Sequence, residues 1–383
     1  MSVAELVKDA DRAAAQRDFG RAVSLLEQAA QLAPEDPALW MRLAAMRRGT
    51  GQPARALEAV HKALAIHPRD FTALLMRASL MQRLGQPGAG EAWGHALAQK
   101  PEGELPEHLA PIVEEAEERY EAWRERRESE LKAAMATAEE AADGEQRKRI
   151  DRFRSNVLRR TKPYHSEPTD YFFPELTERE FHPRRLFPWL EQLEAATPQI
   201  TAELQQVMTA ERAELVPYVQ FDEHVPMDQW RPLNKNPDWT AIHLLQHGKV
   251  IEANARHCPQ TMAVLGELPQ PHIAGASPNA MFSLLAPNTK IPPHVGINNA
   301  RLVCHLPLIV PEGCWFRVGG ETRLWKTGEA FVFDDTIEHE AMNPTDQLRV
   351  VFIIDVWHPD VSPVEQEAIA ALIGCNPASG EGL

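Results

Sequence analysis

The sequence predicts an α+β multidomain chain: an α-helical repeat domain comes first, and a small antiparallel barrel or jelly roll with flanking helices follows. Two observations predict this order. Prolines close similar helical segments within the first hundred residues, and from residue 291 onward short apolar runs alternate with turn residues. The 383 residues provide ample length for two or more domains with separate cores.

The region 1–101 contains an internal repeat. Its segments end at Pro34, Pro68 and Pro101, which are 34 and 33 residues apart. Small residues recur where paired helices would pack closely, at Ala22, Ala29, Ala56, Ala63 and Ala96. The region resembles tetratricopeptide repeats, for which three copies are about the minimum. The resemblance implies either a concave groove for a peptide or protein or a scaffold or dimerisation element, and the sequence favours neither.

The rest of the chain is divided by composition. Residues 102–165 form a charged connector with helical spacing, whose basic cluster between 147 and 160 we interpret as a solvated helix face. The strand-rich domain is expected over 166–362, with a helix over 190–208 packed against it and strand-like and loop segments over 240–258. Residues 363–383 are expected to form a short helix and a C-terminal tail.

Composition excludes several classes of partner. The net charge of −15 disfavours nucleic acid and anionic membranes. The first nine residues lack an apolar signal core, and no apolar run approaches the roughly 18 residues that span a bilayer. The four cysteines have no CxxC spacing, so neither a zinc site nor a disulfide framework is indicated. We expect a cytoplasmic protein with no nucleic-acid or membrane partner; the oligomeric state is unknown.

The strand-rich region carries two histidines and one arginine in unusual positions. Its β-branched or aromatic runs cover 303–309, 314–318, 330–333 and 348–356. His294 follows two prolines and His339 follows an acidic turn, 45 residues later, so strands can bring them together at a barrel mouth. Neutral imidazole suits iron, zinc and copper. Arg349 lies within an apolar run and needs an anionic partner, such as a dicarboxylate cosubstrate, because an unpaired buried charge is costly.

A series of motifs runs from residue 283 to residue 359. They are His294-x-Gly296, Arg301-Leu302-x-x-His305-Leu306, Glu312-Gly313-Cys314, Glu321-Thr322-Arg323-x-Trp325, Phe333-Asp334-Asp335-x-x-Glu338-His339-Glu340 and Asp355-Val356-Trp357-His358-Pro359. The series resembles the aspartyl/asparaginyl β-hydroxylase family, whose members are 2-oxoglutarate- and iron(II)-dependent oxygenases on a double-stranded β-helix. Weaker similarity extends back to about residue 171.

The resemblance implies a role for each of several residues. His294 and His339 would be the catalytic pair that binds iron(II). Ser283 and Arg349 would hold the distal carboxylate of 2-oxoglutarate, and His305 would lie near the proximal carboxylate.

The chain departs from common patterns at two positions. Gly296 stands where a carboxylate ligand normally follows the first histidine; the family shares this absence, with water filling the vacancy. Val303 stands where the family often has a second basic residue, which affects either the contact to the proximal carboxylate of the cosubstrate or the recognition of an acidic substrate, and Arg301 is expected to compensate. Asp334 and Asp335 are expected to form a tight turn and to hydrogen-bond a ligand imidazole. Substrate contacts are expected near Met281 and Lys249 without a firm assignment.

The expected function follows from the resemblance. With iron(II), 2-oxoglutarate and O2, the protein would hydroxylate Cβ of an Asp or Asn side chain in a peptide or protein that the repeats help to recruit. Two alternatives remain open. The first keeps the chemistry but changes the substrate to a lipid acyl chain or a small molecule. The second is a catalytically inactive barrel in a repeat-based adaptor, against which the intact His294, His339 and Arg349 argue.

Overall fold

The structure is a computed structural model that describes residues 1–210, 214–222, 224 and 227–375. The chain divides between residues 160 and 161 into two compact units, here called the helical unit and the β unit. None of the described helices is long and apolar enough to cross a bilayer.

The helical unit consists of paired antiparallel helices. They are α1 Val3–Ala15, α2 Phe19–Leu32, α3 Pro37–Gly49, α4 Pro53–Ile66, α5 Phe71–Arg83, α6 Ala89–Leu97, α7 Ala110–Ala141 and α8 Gly144–Val157. Aspartates begin four of them: the side chains of Asp18, Asp36, Asp70 and Asp143 each accept a hydrogen bond from a backbone N–H in the first turn. The predicted alanines are buried between the helices, which confirms the helical repeats.

Helix α7 packs against α6 through two glycines. A Cβ atom at Gly94 would lie 2.7 Å from the Cζ of Tyr120, and one at Gly90 would lie 2.6 Å from the Cβ of Trp123. Tyr120 and Trp123 belong to α7 and stack on each other with centroids 5.7 Å apart. The helical prediction for 102–165 is confirmed by α7 and α8, and the structure places the start of this segment against the last repeat helix. The domain boundaries at residues 101 and 165 stay predictions.

The β unit contains eleven described strands in two antiparallel sheets. They are β1 Val216–Pro217, β2 Trp239–Gln246, β3 Lys249–Val250, β4 Ala280–Leu285, β5 Thr289–His294, β6 Arg301–Ile309, β7 Trp315–Val318, β8 Glu321–Leu324, β9 Phe331–Phe333, β10 His339–Asn343 and β11 Arg349–Trp357. The larger sheet has the order β1-β2-β4-β11-β6-β9 with β3 beside β2, and the smaller sheet has the order β5-β10-β7-β8. This is the expected jelly roll.

Strand alternation divides the larger sheet into two apolar faces. One face, with Phe282, Phe352 and Ile354, packs against three helices: α9 Leu190–Ala195, α10 Thr197–Thr209 and α12 Pro259–Leu265. The other face joins the smaller sheet in an inner core that includes Val351 and Phe316. A cavity lies between this face of the larger sheet and the facing side of the smaller sheet.

The structure differs from some expectations in detail and confirms others. The helix predicted over 190–208 is two helices, α9 and α10, because Thr197-Pro198 starts a new helix with proline in its first turn. Strands β5 and β10, which the run of apolar residues did not indicate, complete the smaller sheet. The predicted closing helix is confirmed as α13 Pro363–Gly374, whereas the expected tail beyond residue 375 lies outside the described residues. The short helix α11 Glu252–Ala255 lies in the predicted 240–258 segment.

Candidate active site

The two predicted metal ligands lie opposite each other on neighbouring strands. His294 is the last residue of β5, His339 is the first residue of β10, and the antiparallel register pairs them directly. Their ring centroids are 3.9 Å apart. The fold therefore brings together two histidines that the sequence separates by several strands.

Backbone carbonyls orient both imidazoles. The Nδ1 of His294 donates to the Pro292 oxygen at 2.8 Å, and the Nδ1 of His339 donates to the Ile337 oxygen at 3.1 Å. With the proton on Nδ1, each Nε2 carries the lone pair that a metal needs. Burial lowers the pKa of His294 to about 4 and that of His339 well below its usual range, so both rings are neutral.

The aspartates before His339 form their hydrogen bonds elsewhere. The Oδ1 of Asp334 accepts from the Thr336 N–H at 2.9 Å and from its hydroxyl at 2.5 Å, which closes the predicted tight turn. The Oδ2 of Asp335 lies 3.0 Å from the Nη2 of Arg301. The expectation that these carboxylates bond a ligand imidazole is wrong, because backbone carbonyls do so.

Gly296 holds the position of the missing third ligand. Its N–H donates to the backbone oxygen of Asp335 at 2.7 Å and so ties the two histidine segments together. A Cβ atom at Gly296 would lie 2.5 Å from the Asp335 Cγ, so the Asp335 carboxylate occupies the space of a side chain here. Within the described part of the chain, no group of three or more His, Cys, Asp or Glu side chains is placed to hold a metal.

Arg349 lies beside Ser283 in the inner core. Its Nη1 donates to the Ser283 backbone oxygen at 3.2 Å and to the hydroxyl oxygen at 3.4 Å. The indole N–H of Trp239 donates to the same hydroxyl oxygen at 3.0 Å, so the hydroxyl hydrogen of Ser283 is free to point at a ligand. The guanidinium carbon also lies 4.8 Å from the centre of the Trp325 ring.

Arg349 and His305 carry buried polar atoms that need a ligand. No described carboxylate pairs with Arg349, and its Nε is buried without a hydrogen-bond partner. Burial lowers the pKa of this guanidinium to about 10. The Nδ1 of His305 is likewise buried and unbonded, and burial followed by the nearby Arg349 charge lowers its pKa well below the usual range. These groups suit the carboxylates of an incoming ligand.

Arg301 bridges two buried aspartates. Its Nη2 lies 3.0 Å from the Asp335 Oδ2 and its Nη1 lies 3.3 Å from the Asp355 Oδ1. Asp355 Oδ2 in turn accepts from the Ser277 hydroxyl at 2.6 Å and from the Asn279 side chain at 2.8 Å. Burial alone would lower the pKa of Arg301, but the two carboxylates outweigh it and raise the pKa, so the guanidinium stays charged. Its cosubstrate contact stays a prediction.

The predicted site residues line one cavity of about 280 Å³; they are Ser283, His294, Arg301, His305, His339 and Arg349. Apolar side chains from three strands of the larger sheet, Met281, Val303 and Ile353, also line it. The volume falls near the lower limit of small-ligand pockets, about 300–1,000 Å³. The cavity therefore suits a small cosubstrate and a single substrate group.

Comparison with known proteins identifies the family. A family model described as "Aspartyl/Asparaginyl beta-hydroxylase" matches residues 194–359. The ornithine lipid ester-linked acyl 2-hydroxylase of Rhizobium tropici is 35% identical over 202 residues, which cover 51% of this chain and 68% of that protein. The chain belongs to the aspartyl/asparaginyl β-hydroxylase family.

Other similar proteins share a smaller part of their length. The aspartate beta-hydroxylase domain-containing protein 2 of Homo sapiens is 38% identical over 145 residues, which cover 37% of this chain and 39% of that protein. The chain thus spans about two fifths of this curated relative. Among solved structures, the Sgt2 TPR domain from Aspergillus fumigatus is similar at 22% identity and a TM-score of 0.28, over 31% of this chain and 79% of that one.

The matched segment of this β-hydroxylase family member contains every site residue that the sequence predicted. The structure brings Ser283, His305, Arg349 and the histidine pair to the wall of one cavity. It adds Asp355, which was not predicted from the sequence. The signal was available, because an acid between Ile354 and Val356 in an apolar strand needs a partner, as Arg349 does.

Proposed function

We propose that this chain is an iron(II)- and 2-oxoglutarate-dependent hydroxylase. The observation that carries the proposal is the facing pair of neutral histidines, His294 and His339, in the same cavity as Arg349, whose buried guanidinium has no described carboxylate partner. Two Nε2 lone pairs suit a divalent transition metal, and an uncompensated guanidinium suits a carboxylate.

The residues present fit iron(II). Each imidazole is neutral, fixed by a backbone carbonyl and turned so that Nε2 is the available nitrogen. When bound by His294 and His339, iron(II) would supply the activation of O2 that hydroxylation requires. Gly296 and the Asp335 carboxylate that lies against it line the same cavity as the pair.

The residues around Arg349 fit 2-oxoglutarate. Its 5-carboxylate would accept from the guanidinium and from the Ser283 hydroxyl, while the His305 ring would face the other end of the molecule. In the whole reaction, O2 and 2-oxoglutarate are consumed. One oxygen atom enters the substrate C–H bond as a hydroxyl group, the other enters succinate, and carbon dioxide leaves. Aromatic walls, including Phe316 and Phe333, would keep bulk water away from the reacting atoms.

The proposed substrate is an Asp or Asn side chain in a peptide or protein, hydroxylated at Cβ. The description of the matching family supports it, and so does a cavity too small for a large substrate. The helical unit would recruit the partner through the broad surface that stacked repeats present.

One observation favours a second candidate substrate, a lipid acyl chain. The rhizobial relative, which is named as a hydroxylase of an ester-linked acyl group, shares 35% identity over 68% of its length. Met281 and Val303 give the cavity an apolar wall that suits a methylene chain.

The test of the proposed function is the release of succinate. The full chain is incubated with iron(II), 2-oxoglutarate and O2, alongside His339→Ala and a matched control, His165→Ala, whose side chain is 67% exposed. We expect the wild type and the control to release succinate at equal rates and His339→Ala to release none above background. Equal rates from all three, or no release from the wild type with or without a peptide or acyl substrate, would overturn the proposal.

A further inference from the structure

The charges that line the cavity cancel. Among the described residues, four charged side chains line it: two arginines, Arg301 and Arg349, and two aspartates, Asp335 and Asp355. Burial lowers the pKa of His243 to about 4 and that of His305 well below its usual range, so these two lining histidines are neutral. The formal charges of the four charged side chains sum to zero.

Neither arginine is available for a substrate carboxylate. Arg301 has an acidic partner at each terminal nitrogen, and its side chain is only 10% exposed. Asp355 is itself fixed by hydrogen bonds from Ser277 and Asn279, so the Arg301–Asp355 pair is held in place. Under the proposed function, Arg349 binds the distal carboxylate of 2-oxoglutarate. A substrate carboxylate would therefore meet no free side-chain cation, and the two positive charges of iron(II) would be balanced by the two carboxylates of 2-oxoglutarate.

The residues next to these arginines are apolar. Met281 precedes Ser283 by two positions on β4, and Val303 lies between Arg301 and His305 on β6, so strand alternation turns both toward the cavity. A carboxylate placed against them would lose its water and gain no donor, which is costly. The Asp355 carboxylate would add repulsion.

Besides the Arg349 Nε and the His305 Nδ1, three polar atoms of the wall need a hydrogen-bond partner. The Oδ1 of Asp335, the Nδ1 of His243 and the Nε1 of Trp325 are buried without one. A hydrocarbon chain would leave all three unpaired, whereas a carboxamide offers an NH2 donor to the first, either a donor or an acceptor to the second and a carbonyl acceptor to the third. Uncharged amide side chains, Gln246 and Asn279, lie on the same wall and suit the polar backbone of a peptide.

We propose that the β unit hydroxylates asparaginyl rather than aspartyl side chains, and that the Arg301–Asp355 pair enforces this choice by withholding the cation that an aspartyl carboxylate needs. The inference rests on the proposed function and names the substrate class of the same site. The Cβ–H bond of the asparagine becomes a Cβ–OH bond; the second oxygen atom of O2 enters succinate, and 2-oxoglutarate loses carbon dioxide.

Two peptide libraries test the proposal. They are nonapeptides with random residues around a fixed centre, which is Asn in one library and Asp in the other. The full chain is incubated with each library, iron(II), 2-oxoglutarate and O2, and mass spectrometry measures the gain of one oxygen atom at the centre while succinate is measured in parallel. We expect the Asn library to gain oxygen at least about ten times faster than the Asp library, since an unpaired buried charge is strongly rejected.

Two variants test the cause of the preference. Asp355→Asn leaves Arg301 with one acidic partner, and Met281→Lys adds a cation to the wall; each should move the Asn-to-Asp ratio toward Asp by at least about fivefold. The matched control is Val250→Lys, which adds the same cation on the exposed strand β3 and should leave the ratio unchanged. Thermal unfolding shows whether each variant is folded. If a variant does not fold, the Asn-to-Asp ratio of oxygen gain in the wild type still decides the proposal.

The outcomes separate this inference from the proposed function. Equal or faster oxygen gain by the Asp library would overturn the preference for asparagine. Succinate release without oxygen gain in either library, or oxygen gain only in acyl chains of added phospholipid vesicles, would also overturn it while leaving the hydroxylase intact. No succinate release under any condition would instead overturn the proposed function, and this inference with it.

Discussion

Replacing Arg349 with methionine separates the cost of its buried charge from the benefit of its ligand. Without a ligand, the guanidinium has only Ser283, the Trp325 ring and burial around it, and its pKa is depressed to about 10. Methionine has a similar length and no charge, so Arg349→Met removes an uncompensated cation. We expect the variant without ligands to unfold at the same temperature as the wild type or higher.

The same substitution should weaken 2-oxoglutarate binding strongly. Two charge-assisted hydrogen bonds from Arg349 to the 5-carboxylate contribute about 1.5–3 kcal/mol each. The Ser283 hydroxyl remains and recovers part of this energy, so a net loss of about 3 kcal/mol is expected, which is about a hundredfold in Kd. The metal site should be unchanged, because Arg349 contacts neither histidine of the pair.

Isothermal titration calorimetry measures this effect without turnover if Mn(II) replaces iron(II). Wild type, Arg349→Met and the control Arg184→Met, which removes an arginine that pairs with Glu194 outside the cavity, are titrated with 2-oxoglutarate. Thermal unfolding with and without 2-oxoglutarate gives an independent estimate, because a ligand at about 100 times its Kd stabilises by about 2.7 kcal/mol. A Kd for Arg349→Met within threefold of the wild-type value would refute the assignment of Arg349 to the cosubstrate.

Three further predictions concern other parts of the molecule. Gly94→Leu should destabilise the helical unit by about 1–3 kcal/mol, because the new side chain would overlap Tyr120. The control Gly49→Ala adds a Cβ that meets no atom within 4 Å and should leave the stability unchanged. Thermal unfolding measures both. Removing residues 1–160 should spare succinate release and short-peptide hydroxylation but weaken hydroxylation of a full-length partner; equal losses with a folded β unit would exclude recruitment. Burial raises the pKa of Asp334 to about 7, so the folded wild type loses stability as the pH rises from about 4 through 7 and this carboxyl group ionises. The unfolding temperature of Asp334→Asn, which has no such group, should fall less over the same pH range.

Strands rich in β-branched or aromatic residues were predictable from the sequence, whereas strands that lack them or contain prolines were not. The run over 348–356 corresponds to β11, Arg349–Trp357, within one residue at each end. Strand β10 reads His-Glu-Ala-Met-Asn and has no β-branched residue, while β5 contains two prolines and lies at the edge of its sheet. Both strands form through pairing with neighbours, which local propensity does not encode.

The candidate site was predictable in its residue types but not in its pairings. The histidine pair and Arg349 could be inferred because each stands out against its local sequence. The partners of Arg301 could not, since Asp335 comes from a turn and Asp355 from another strand, and only the folded register brings all three together. This is why Arg301 could be assigned to the cosubstrate from sequence while the structure shows both of its terminal nitrogens already paired.

At Gly296, the Asp335 carboxylate occupies the space that a side chain would need. From the sequence, aspartate at this position could supply the missing metal ligand or crowd a water site, and the structure favours crowding, because even a Cβ atom would overlap the Asp335 carboxylate. Asp335 cannot move without breaking its ion pair with Arg301. We therefore expect Gly296→Ala and Gly296→Asp to lower stability by about 1–3 kcal/mol and to weaken Mn(II) binding in calorimetry. The control Gly266→Ala, whose Cβ would be 3.5 Å from its nearest neighbour, should do neither, and a Gly296→Asp variant that binds Mn(II) more tightly than the wild type would show that Asp335 yields its place.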